Sequence, residues 1–288
     1  MKEKFRDKLH LSPANVEKLV VINEIIDEYA AEGYKLTLRQ LYYQLVSRGI
    51  IPNKKAEYEK LSALLVNGRM GGVVDWDAIE DRLRVPFLPY WVTGISNAIR
   101  DTISQYRLNR QRGQSNYIEL WVEKDALSGV LKRITSYYHI NLMVNRGYSS
   151  CSAMHDSYNR LIREAENNKD ITILYLGDHD PSGLDMIRDI RKRLEEFGVD
   201  LTVIPIGLTM EQIEKYNPPP NPAKITDPRA KWYIKEYGDT SWEVDALNPK
   251  ILHALVKEHV ENLIDMDLFK EKLEQEKTDK EKLKNGDY

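Results

Sequence analysis

The chain has 288 residues, of which 42% are hydrophobic and 30% are charged, and this length favours a large core divided between two domains. No stretch approaches the roughly 20 consecutive apolar residues of a membrane-spanning helix, and the amino-terminal residues lack the apolar segment of a signal peptide. A single cysteine, Cys151, excludes an internal disulfide and a metal site built from cysteines. We therefore expect a cytoplasmic protein without a membrane segment.

The formal net charge is −3, but the two parts of the chain differ in sign. Residues 1–114 contain 18 Lys and Arg against 14 Asp and Glu, a balance of +4, and the remainder carries −7. Arginines dominate residues 82–114, and such a cluster suits the phosphate backbone of DNA. A solvated charged face is the commoner explanation of a charge run. The DNA-binding residues predicted from this cluster are Arg82, Arg84, Arg107 and Arg110.

Three helices and a short β element are predicted in residues 1–84. The helices are expected at residues 12–32, 38–48 and 55–68, and a turn with a short strand at residues 71–76. Ser12 and Pro13 are typical of the start of a helix, and Gly49 ends the second one. This succession predicts a winged-helix-like DNA-binding domain, with a helical subdomain that binds no ligand as the alternative.

The second helix carries a tyrosine pair whose members lie on different faces. Tyr42 belongs to the apolar stripe, whereas Tyr43 is rotated by about 100° and shares its side with Arg39. An exposed tyrosine beside a guanidinium that favours the phenolate is a candidate nucleophile. For a tyrosine pair taken alone, one core and one surface side chain is the simpler interpretation.

Residues 85–116 contain prolines, an arginine-bearing helix pattern and a polar run, and they are predicted to be a linker. Residues 117–265 then alternate strands with helices, which predicts an α/β domain with a doubly wound, mainly parallel sheet. The strands are expected at residues 117–122, 140–144, 171–176 and 201–206. The helix at residues 249–264 is amphipathic and is expected to pack on the sheet or on a partner. Residues 266–288 are rich in Lys, Asp and Glu, and we expect a frayed or disordered charged tail.

Acidic residues follow two of the predicted strands. Glu123 comes directly after the first strand, and Asp178 and Asp180 follow the third, just before a helix. Open α/β sheets bind ligands at the carboxyl ends of their strands, and close carboxylates of this kind suit Mg²⁺. An aspartate that only caps the helix is the simpler alternative. Arg146 follows the second strand and is a further candidate for phosphate contact, whereas His179 is expected to point away from the carboxylates.

Three segments combine these candidates: TLRQLYY contains Tyr43, VEKDAL contains Glu123, and GDHDPSGLDMI contains the two aspartates. Together they resemble the A subunit of topoisomerase VI and its relative, the meiotic double-strand-break transesterase. The resemblance implies a winged-helix domain followed by a Toprim domain. In that family the second aromatic of the pair attacks DNA, and a glutamate with a DxD pair holds Mg²⁺. It therefore implies that Tyr43 is the nucleophile and that Glu123, Asp178 and Asp180 are the metal ligands.

The activity implied by the resemblance is that of a DNA-cleaving transesterase, a topoisomerase-like enzyme in which Arg39, Tyr43 and Glu123 carry the reaction. Because one chain offers one tyrosine, cutting both strands of double-stranded DNA implies a homodimer, in which the tyrosine of one chain works at the metal site of the other. Strand passage would need a separate ATPase B subunit. The segment at residues 242–247 also resembles the family, and Glu243 is expected to be at most a structural or supporting acid.

Two alternatives stay open at this point. The first is a Toprim nuclease that uses the metal and a water molecule without a tyrosine intermediate. The second is a DNA-binding protein without catalytic activity, which would bind duplex DNA with a steep dependence on salt.

Overall fold

The computed structural model describes residues 2–6, 11–80, 89–145 and 147–285. The amino-terminal part is helical, with α1 at Pro13–Ala31, α2 at Leu38–Ser47 and α3 at Lys55–Met70. The hydroxyl of Ser12 accepts a hydrogen bond from the Asn15 N–H at the start of α1, and Thr37 and Gln40 form a reciprocal capping box at the start of α2. The three helices share one hydrophobic core, to which Leu19, Leu41 and Leu61 contribute. The three predicted helices are therefore present.

The β element predicted after the third helix is not a strand. Residues 71–76 form turns, and the pairings near them are isolated bridges, Lys4 with Gly71 and Leu36 with Ile79. Gly72 has a φ of +72°, which turns the backbone out of the extended conformation. The winged-helix arrangement of the amino-terminal part stays a prediction.

The second part is built on a four-stranded sheet with the order β2-β1-β3-β4, in which every pair is parallel. Its strands are β1 at Asn116–Val122, β2 at Asn141–Val144, β3 at Asp170–Leu176 and β4 at Thr202–Gly207. The predicted parallel α/β sheet is thus confirmed, while its assignment as a Toprim domain stays a prediction.

Helices cover both faces of this sheet. They are α5 at Ser128–Tyr138, α6 at Cys151–Glu166, α7 at Pro181–Glu196 and α10 at Pro249–Glu261. Along β1, Ile118 and Leu120 point into the core beneath α5 and α10, whereas Tyr117 and Trp121 point into the core beneath α6 and α7. Since both faces are covered, the strands are apolar throughout, which explains their continuous hydrophobic runs.

The strand order creates a switch point between β1 and β3. From β1 the chain passes through α5 to β2 at one edge, and it then returns through α6 to β3 on the other side of β1. The loops that leave the two neighbouring strands therefore run in opposite directions and open a crevice at their carboxyl ends. Glu123 and Asp178 follow these two strands.

The remaining elements connect or cover this framework. They are α4 at Ile95–Gln105, α8 at Met210–Tyr216, α9 at Ala230–Tyr237, the antiparallel strands β5 at Pro220–Pro222 and β6 at Thr240–Trp242, and short 3-10 helices at Asp125–Leu127 and Val244–Ala246. Trp242 and His179 exchange backbone hydrogen bonds of 2.9 and 3.0 Å. This bridge holds the segment after β6 against the acidic turn after β3. The expected packing of α10 on the sheet is confirmed through Leu252 and Val256.

The expectation of a disordered tail is wrong for residues 266–285, which form the helix α11 at Met266–Asn285. Phe269 is 1% exposed and packs against Tyr137 and Tyr138. Glu276 is also buried, and its carboxylate is satisfied there by hydrogen bonds from Arg110 and from the Leu108 N–H. Phe269, the partly buried Met266 and Leu273, and one paired carboxylate thus dock a helix that is largely charged. No helix in the described part of the chain combines the length and apolarity needed to cross a bilayer.

Candidate active site at the carboxyl edge of the sheet

Glu123 and the acidic turn after β3 lie next to each other. The Asp178 N–H donates a hydrogen bond of 3.2 Å to Glu123 Oε2, and the Glu123 N–H donates one of 3.0 Å to the Leu176 carbonyl. The pairing of β1 with β3 continues to Val122 and Leu176, so both chains leave the sheet at the same level. The structure therefore brings together the acids that follow the first and third predicted strands.

Both carboxylate oxygens of Asp178 have partners within the chain. Oδ1 accepts a hydrogen bond of 2.9 Å from the Val244 N–H, and Oδ2 lies 2.8 Å from Lys124 Nζ. Burial raises the pKa of Asp178 to about 7, because the neighbouring charge of Glu123 adds to the desolvation while Lys124 only partly offsets it. Asp178 therefore serves as an anchor between the sheet and the segment after β6.

Asp180 is the N-cap of α7, as the simpler interpretation of the turn predicted. Its Oδ1 accepts hydrogen bonds of 2.7 Å from the Gly183 N–H and 2.8 Å from the Ser182 hydroxyl. Its Oδ2 faces Lys224 Nζ at 3.8 Å. The helix approaches the turn so closely that a Cβ atom at Gly183 would lie 2.2 Å from the Asp178 carbonyl oxygen. Position 183 thus requires glycine for steric reasons.

His179 turns away from these carboxylates, as expected. Its Nδ1 lies 2.9 Å from the Tyr233 hydroxyl, and its ring packs against Tyr237 and Trp242. The residue is 3% exposed and is part of the packing that supports the turn.

Within the described residues, no group of three or more His, Cys, Asp or Glu side chains stands ready to hold a metal ion. Asp178 is bound to Lys124 instead. The donor chemistry still fits a hard divalent cation, because Glu123 Oε1 and Asp180 Oδ2 accept no hydrogen bond from the described chain. Burial together with the charge of Asp180 raises the pKa of Glu123, although the Asp178 N–H and Lys124 oppose this. Magnesium binding by these three acids stays a prediction.

Lys124 lies at the centre of a charge network that the sequence did not indicate. Its Nζ is 3.1 Å from Glu243 Oε2 and 3.0 Å from Asp245 Oδ1, in addition to its contact with Asp178. Burial opposes the charge of Lys124, but the surrounding carboxylates raise its pKa. Lys124 directly follows Glu123 in the sequence, and only the fold places it against acids about 120 positions further on.

Arg39 joins the helical part of the chain to the same network. Its Nε donates a hydrogen bond of 2.6 Å to Asp245 Oδ2, and its Nη2 pairs with Glu243. Although burial alone would raise the pKa of Glu243, the charges of Lys124 and Arg39 hold it at about 2. Glu243, expected to be at most a supporting acid, is thus shared by both cations, as Asp245 is.

Tyr43 is 5% exposed, so the prediction of an exposed tyrosine is wrong. The face of α2 that Tyr43 shares with Arg39 is covered by the 3-10 helix Val244–Ala246 of the same chain. The Tyr43 hydroxyl donates a hydrogen bond of 2.6 Å to Glu243 Oε2, and the Arg39 guanidinium lies 5.5 Å from the ring centre. Burial and the bond to Glu243 raise the pKa of Tyr43, and Arg39 does not reverse this effect. The phenol therefore keeps its proton.

The arginines predicted to bind DNA have different outcomes. The prediction is wrong for Arg110, which is 6% exposed, pairs with Glu276 at 3.1 Å and lies against the rings of Tyr137 and Phe269. The burial of Arg110 depends on Glu276 in α11, a segment that the sequence predicts to be disordered, so no local pattern indicates it. Arg107 is about half exposed and lies 3.6 Å from Glu276, so its contact with DNA stays a prediction. The remaining three, Arg82, Arg84 and Arg146, lie outside the described residues.

A cavity of about 290 Å³ opens between α2 and the carboxyl edge of the sheet. Its lining residues are Arg39, Glu123, Lys124, Asp125, Ala126 and Gly147. An anion that enters it meets Arg39 and Lys124 next to Glu123. Both cations are already paired with Glu243 and Asp245, so an anion in the cavity would have to compete with these carboxylates.

A comparison of the chain with models of known protein families finds no match. No curated protein matches the sequence either.

Proposed function

We propose that the chain is a magnesium-dependent, DNA-cleaving transesterase in which Tyr43 attacks a phosphodiester. The observation that carries the proposal is the continuous path from the Tyr43 hydroxyl through Glu243 and Lys124 to Asp178, within one chain. A hydroxyl bonded to a carboxylate that other groups orient is the general arrangement of an activated nucleophile. Here Arg39 and Lys124 orient Glu243.

Without DNA, Tyr43 stays protonated and is not an active nucleophile. Glu243, with a pKa of about 2, is a poor acceptor for the phenolic proton while both cations bind it. A DNA phosphate in the cavity competes for Arg39 and Lys124, which are the cations that line it. As Arg39 and Lys124 turn towards the phosphate, Glu243 becomes a better proton acceptor. The 3-10 helix Val244–Ala246, which covers Tyr43, is then held less tightly.

In the proposed step the Tyr43 oxygen bonds to phosphorus, and the bond from phosphorus to the 3′ oxygen breaks. The phenolic proton passes to Glu243, and the 3′ oxygen takes a proton from solvent. The product is a 5′-phosphotyrosyl link. Glu123, Asp180 and Asp178, the last once Lys124 has left it, would hold Mg²⁺, which when bound would neutralise charge on the phosphate and the leaving oxygen.

The geometry favours a tyrosine that works at the acids of its own chain rather than at those of a partner. Tyr43 touches Glu243 directly, and the segment that carries Glu243 is held to the acidic turn by its backbone bridge. Cutting both strands of double-stranded DNA still takes two tyrosines, so a homodimer on DNA belongs to the proposal. A separate ATPase subunit would be needed only for strand passage.

The test uses supercoiled plasmid, the purified chain and Mg²⁺, with the reaction stopped by detergent and analysed with and without protease. The chain should produce nicked or linear DNA with protein covalently attached, and Tyr43→Phe should abolish the adduct. Tyr42→Phe is the matched control, because the neighbouring tyrosine bonds to Asn53 at 2.9 Å and not to Glu243. An adduct that survives in Tyr43→Phe would exclude Tyr43 as the nucleophile.

The burial of Tyr43 favours a second candidate, a nuclease that uses the same acids and a water molecule. Cleavage would then persist in Tyr43→Phe without any covalent adduct, while Glu123→Gln would still abolish it. Absence of cleavage by the unmodified chain, together with salt-sensitive binding of duplex DNA, would instead indicate a protein that binds DNA without catalysis.

A further inference from the structure

Tyr175 lies in β3, three positions before Asp178, and its hydroxyl has no hydrogen-bond partner among the described residues. The side chain is 1% exposed, so bulk water does not reach the hydroxyl. A buried polar group without a partner loses its hydration and gains nothing in exchange, and native proteins seldom retain one without a ligand, ion or ordered water nearby. The hydroxyl therefore points to a group that the chain itself does not supply.

The phenol of Tyr175 packs closely over Gly177. A Cβ atom built at Gly177 would lie 2.7 Å from the Tyr175 oxygen and 2.5 Å from a ring carbon. The ring thus leans along the strand towards its carboxyl end and places the hydroxyl beneath the turn. Because glycine has no side chain, position 177 leaves the space that the phenol occupies.

The charged groups whose electrostatic effect reaches this hydroxyl are the three acids of the switch point. Burial raises the pKa of Tyr175 most, and the charges of Glu123, Asp178 and Asp180 raise it further, so the hydroxyl keeps its proton. None of the three carboxylates is within hydrogen-bond distance of it. A polar ligand held by these acids is therefore the kind of group that would satisfy the hydroxyl.

A second tyrosine on the same face of the sheet has a hydroxyl that the chain itself satisfies. Tyr117 lies in β1 in the same hydrophobic core, and its hydroxyl donates to Glu119 Oε1 at 3.1 Å and accepts from Asn141 Nδ2 at 2.8 Å. The two residues differ in position along their strands. Tyr117 lies at the amino end of β1, and Tyr175 lies where the ligand crevice opens.

We propose that Tyr175 is a positioning residue of the cation site, whose hydroxyl oxygen accepts a hydrogen bond from a water molecule of the hydrated ion held by the acids. The inference rests on the proposed function, since it assumes that Glu123, Asp178 and Asp180 bind a divalent cation. Mg²⁺ retains several of its waters in protein sites, and outer partners of this kind orient the ligands and strengthen binding.

The experiment measures the binding of Mg²⁺, and of Mn²⁺ as a second probe, by titration calorimetry on the full chain without DNA. Tyr175→Phe should weaken cation binding on the order of tenfold, while its melting temperature without cation stays equal to that of the unmodified chain or rises. Tyr117→Phe is the matched control, with unchanged cation binding and a melting temperature lowered by about 2–4 °C. Glu123→Gln should abolish binding.

The outcomes separate the inference from the proposed function. If the unmodified chain binds the cations, Glu123→Gln does not, and Tyr175→Phe binds as tightly as the unmodified chain, the role of Tyr175 is overturned while the cation site stands. If the unmodified chain binds neither Mg²⁺ nor Mn²⁺, the metal-dependent function is overturned together with the inference. A Tyr175→Phe variant that melts several degrees lower without cation would show that the hydroxyl has a partner inside the fold, and this too overturns the proposal.

Discussion

Glu119 and Glu123 lie four residues apart in and after β1, and the fold gives these two glutamates opposite surroundings. Glu119 is 0% exposed and accepts hydrogen bonds from several side chains. Its donors are Tyr117, Trp121, Asn141 and Arg160. Glu123 accepts one hydrogen bond from the described chain, the Asp178 N–H, and lies among other acids.

The difference appears in the ionisation of the two groups. Burial opposes the charge of both, but the bonds from Arg160 hold the pKa of Glu119 below its usual value. For Glu123, burial and the charge of Asp180 raise the pKa. A buried carboxylate whose acceptors are filled supports the fold, whereas one with unfilled acceptors beside like charges is available to a ligand. The same residue type on one strand thus has a structural role in one position and a candidate functional role in the other.

The largest effect is expected from removing the cation that pairs with Glu119. Arg160→Ala should lower the free energy of unfolding by about 3–5 kcal/mol, because it leaves a charge buried without its counterion. Denaturant unfolding measures this. Arg163→Ala, an exposed arginine one turn further along α6, is the control and should change stability by less than about 0.5 kcal/mol. Equal effects of the two variants would contradict a structural role for the Glu119 pair.

The next effect concerns the approach of α7 to the acidic turn. Gly183→Ala should destabilise the protein by about 1–3 kcal/mol and weaken cation binding, because the new methyl group overlaps the Asp178 carbonyl and pushes the helix away. Gly94→Ala is the control, since Gly94 has extended backbone with open space around it and lies at the start of α4. Unchanged stability and unchanged cation binding in Gly183→Ala would show that the helix does not position the turn.

Acidification should change the contributions of the two glutamates to the free energy of unfolding in opposite directions. The depressed pKa of Glu119 means that its stabilising effect is complete above about pH 4.5 and is lost as the pH falls towards the folded-state pKa. The raised pKa of Glu123 means that the folded protein takes up its proton first, so stability is gained as the pH falls from neutral towards 4.5. Each shift of one pKa unit corresponds to about 1.4 kcal/mol.

Unfolding of Glu119→Gln and Glu123→Gln at several pH values, with a chelator present, measures these changes. The difference between the unmodified chain and Glu119→Gln should narrow below pH 4.5. The unmodified chain should gain stability relative to Glu123→Gln over the range from neutral pH to 4.5. If the stability of both variants, relative to the unmodified chain, changed with pH in the same way, the two positions would not differ in their electrostatics.

The smallest effect is expected from two buried hydroxyls at the same edge of the sheet. Tyr43→Phe should lower the free energy of unfolding by about 1.5 kcal/mol, because it removes the bond to the ionised Glu243. Tyr175→Phe should not lower it, because no bond is lost. Thermal unfolding of both variants without cation tests the difference, and a Tyr43→Phe variant at least as stable as the unmodified chain would argue against the hydrogen bond to Glu243.

Local sequence patterns predicted the regular elements well. Apolar runs marked the four strands of the sheet, and Ser12 with Pro13 marked the start of the first helix, because capping and strand burial depend on residues close together in the chain. The convergence of Glu123 with the acidic turn also followed from the sequence, since parallel strands present their carboxyl ends at one edge. The role of Asp180 as a helix cap was among the predicted alternatives.

The amino-acid sequence by itself therefore determined the parallel α/β sheet and the acids at its switch point, because periodicity and strand ends are local properties. Only the tertiary structure decided that Tyr43 is covered, that Arg110 is buried and that α11 is ordered. The burial of Tyr43 and of Arg110 each depends on a partner more than 150 positions away, Glu243 for Tyr43 and Glu276 for Arg110, and α11 is ordered by contacts with residues more than 100 positions earlier. A side chain on a helix face is exposed or buried according to what packs on that face, and no local pattern specifies a distant segment.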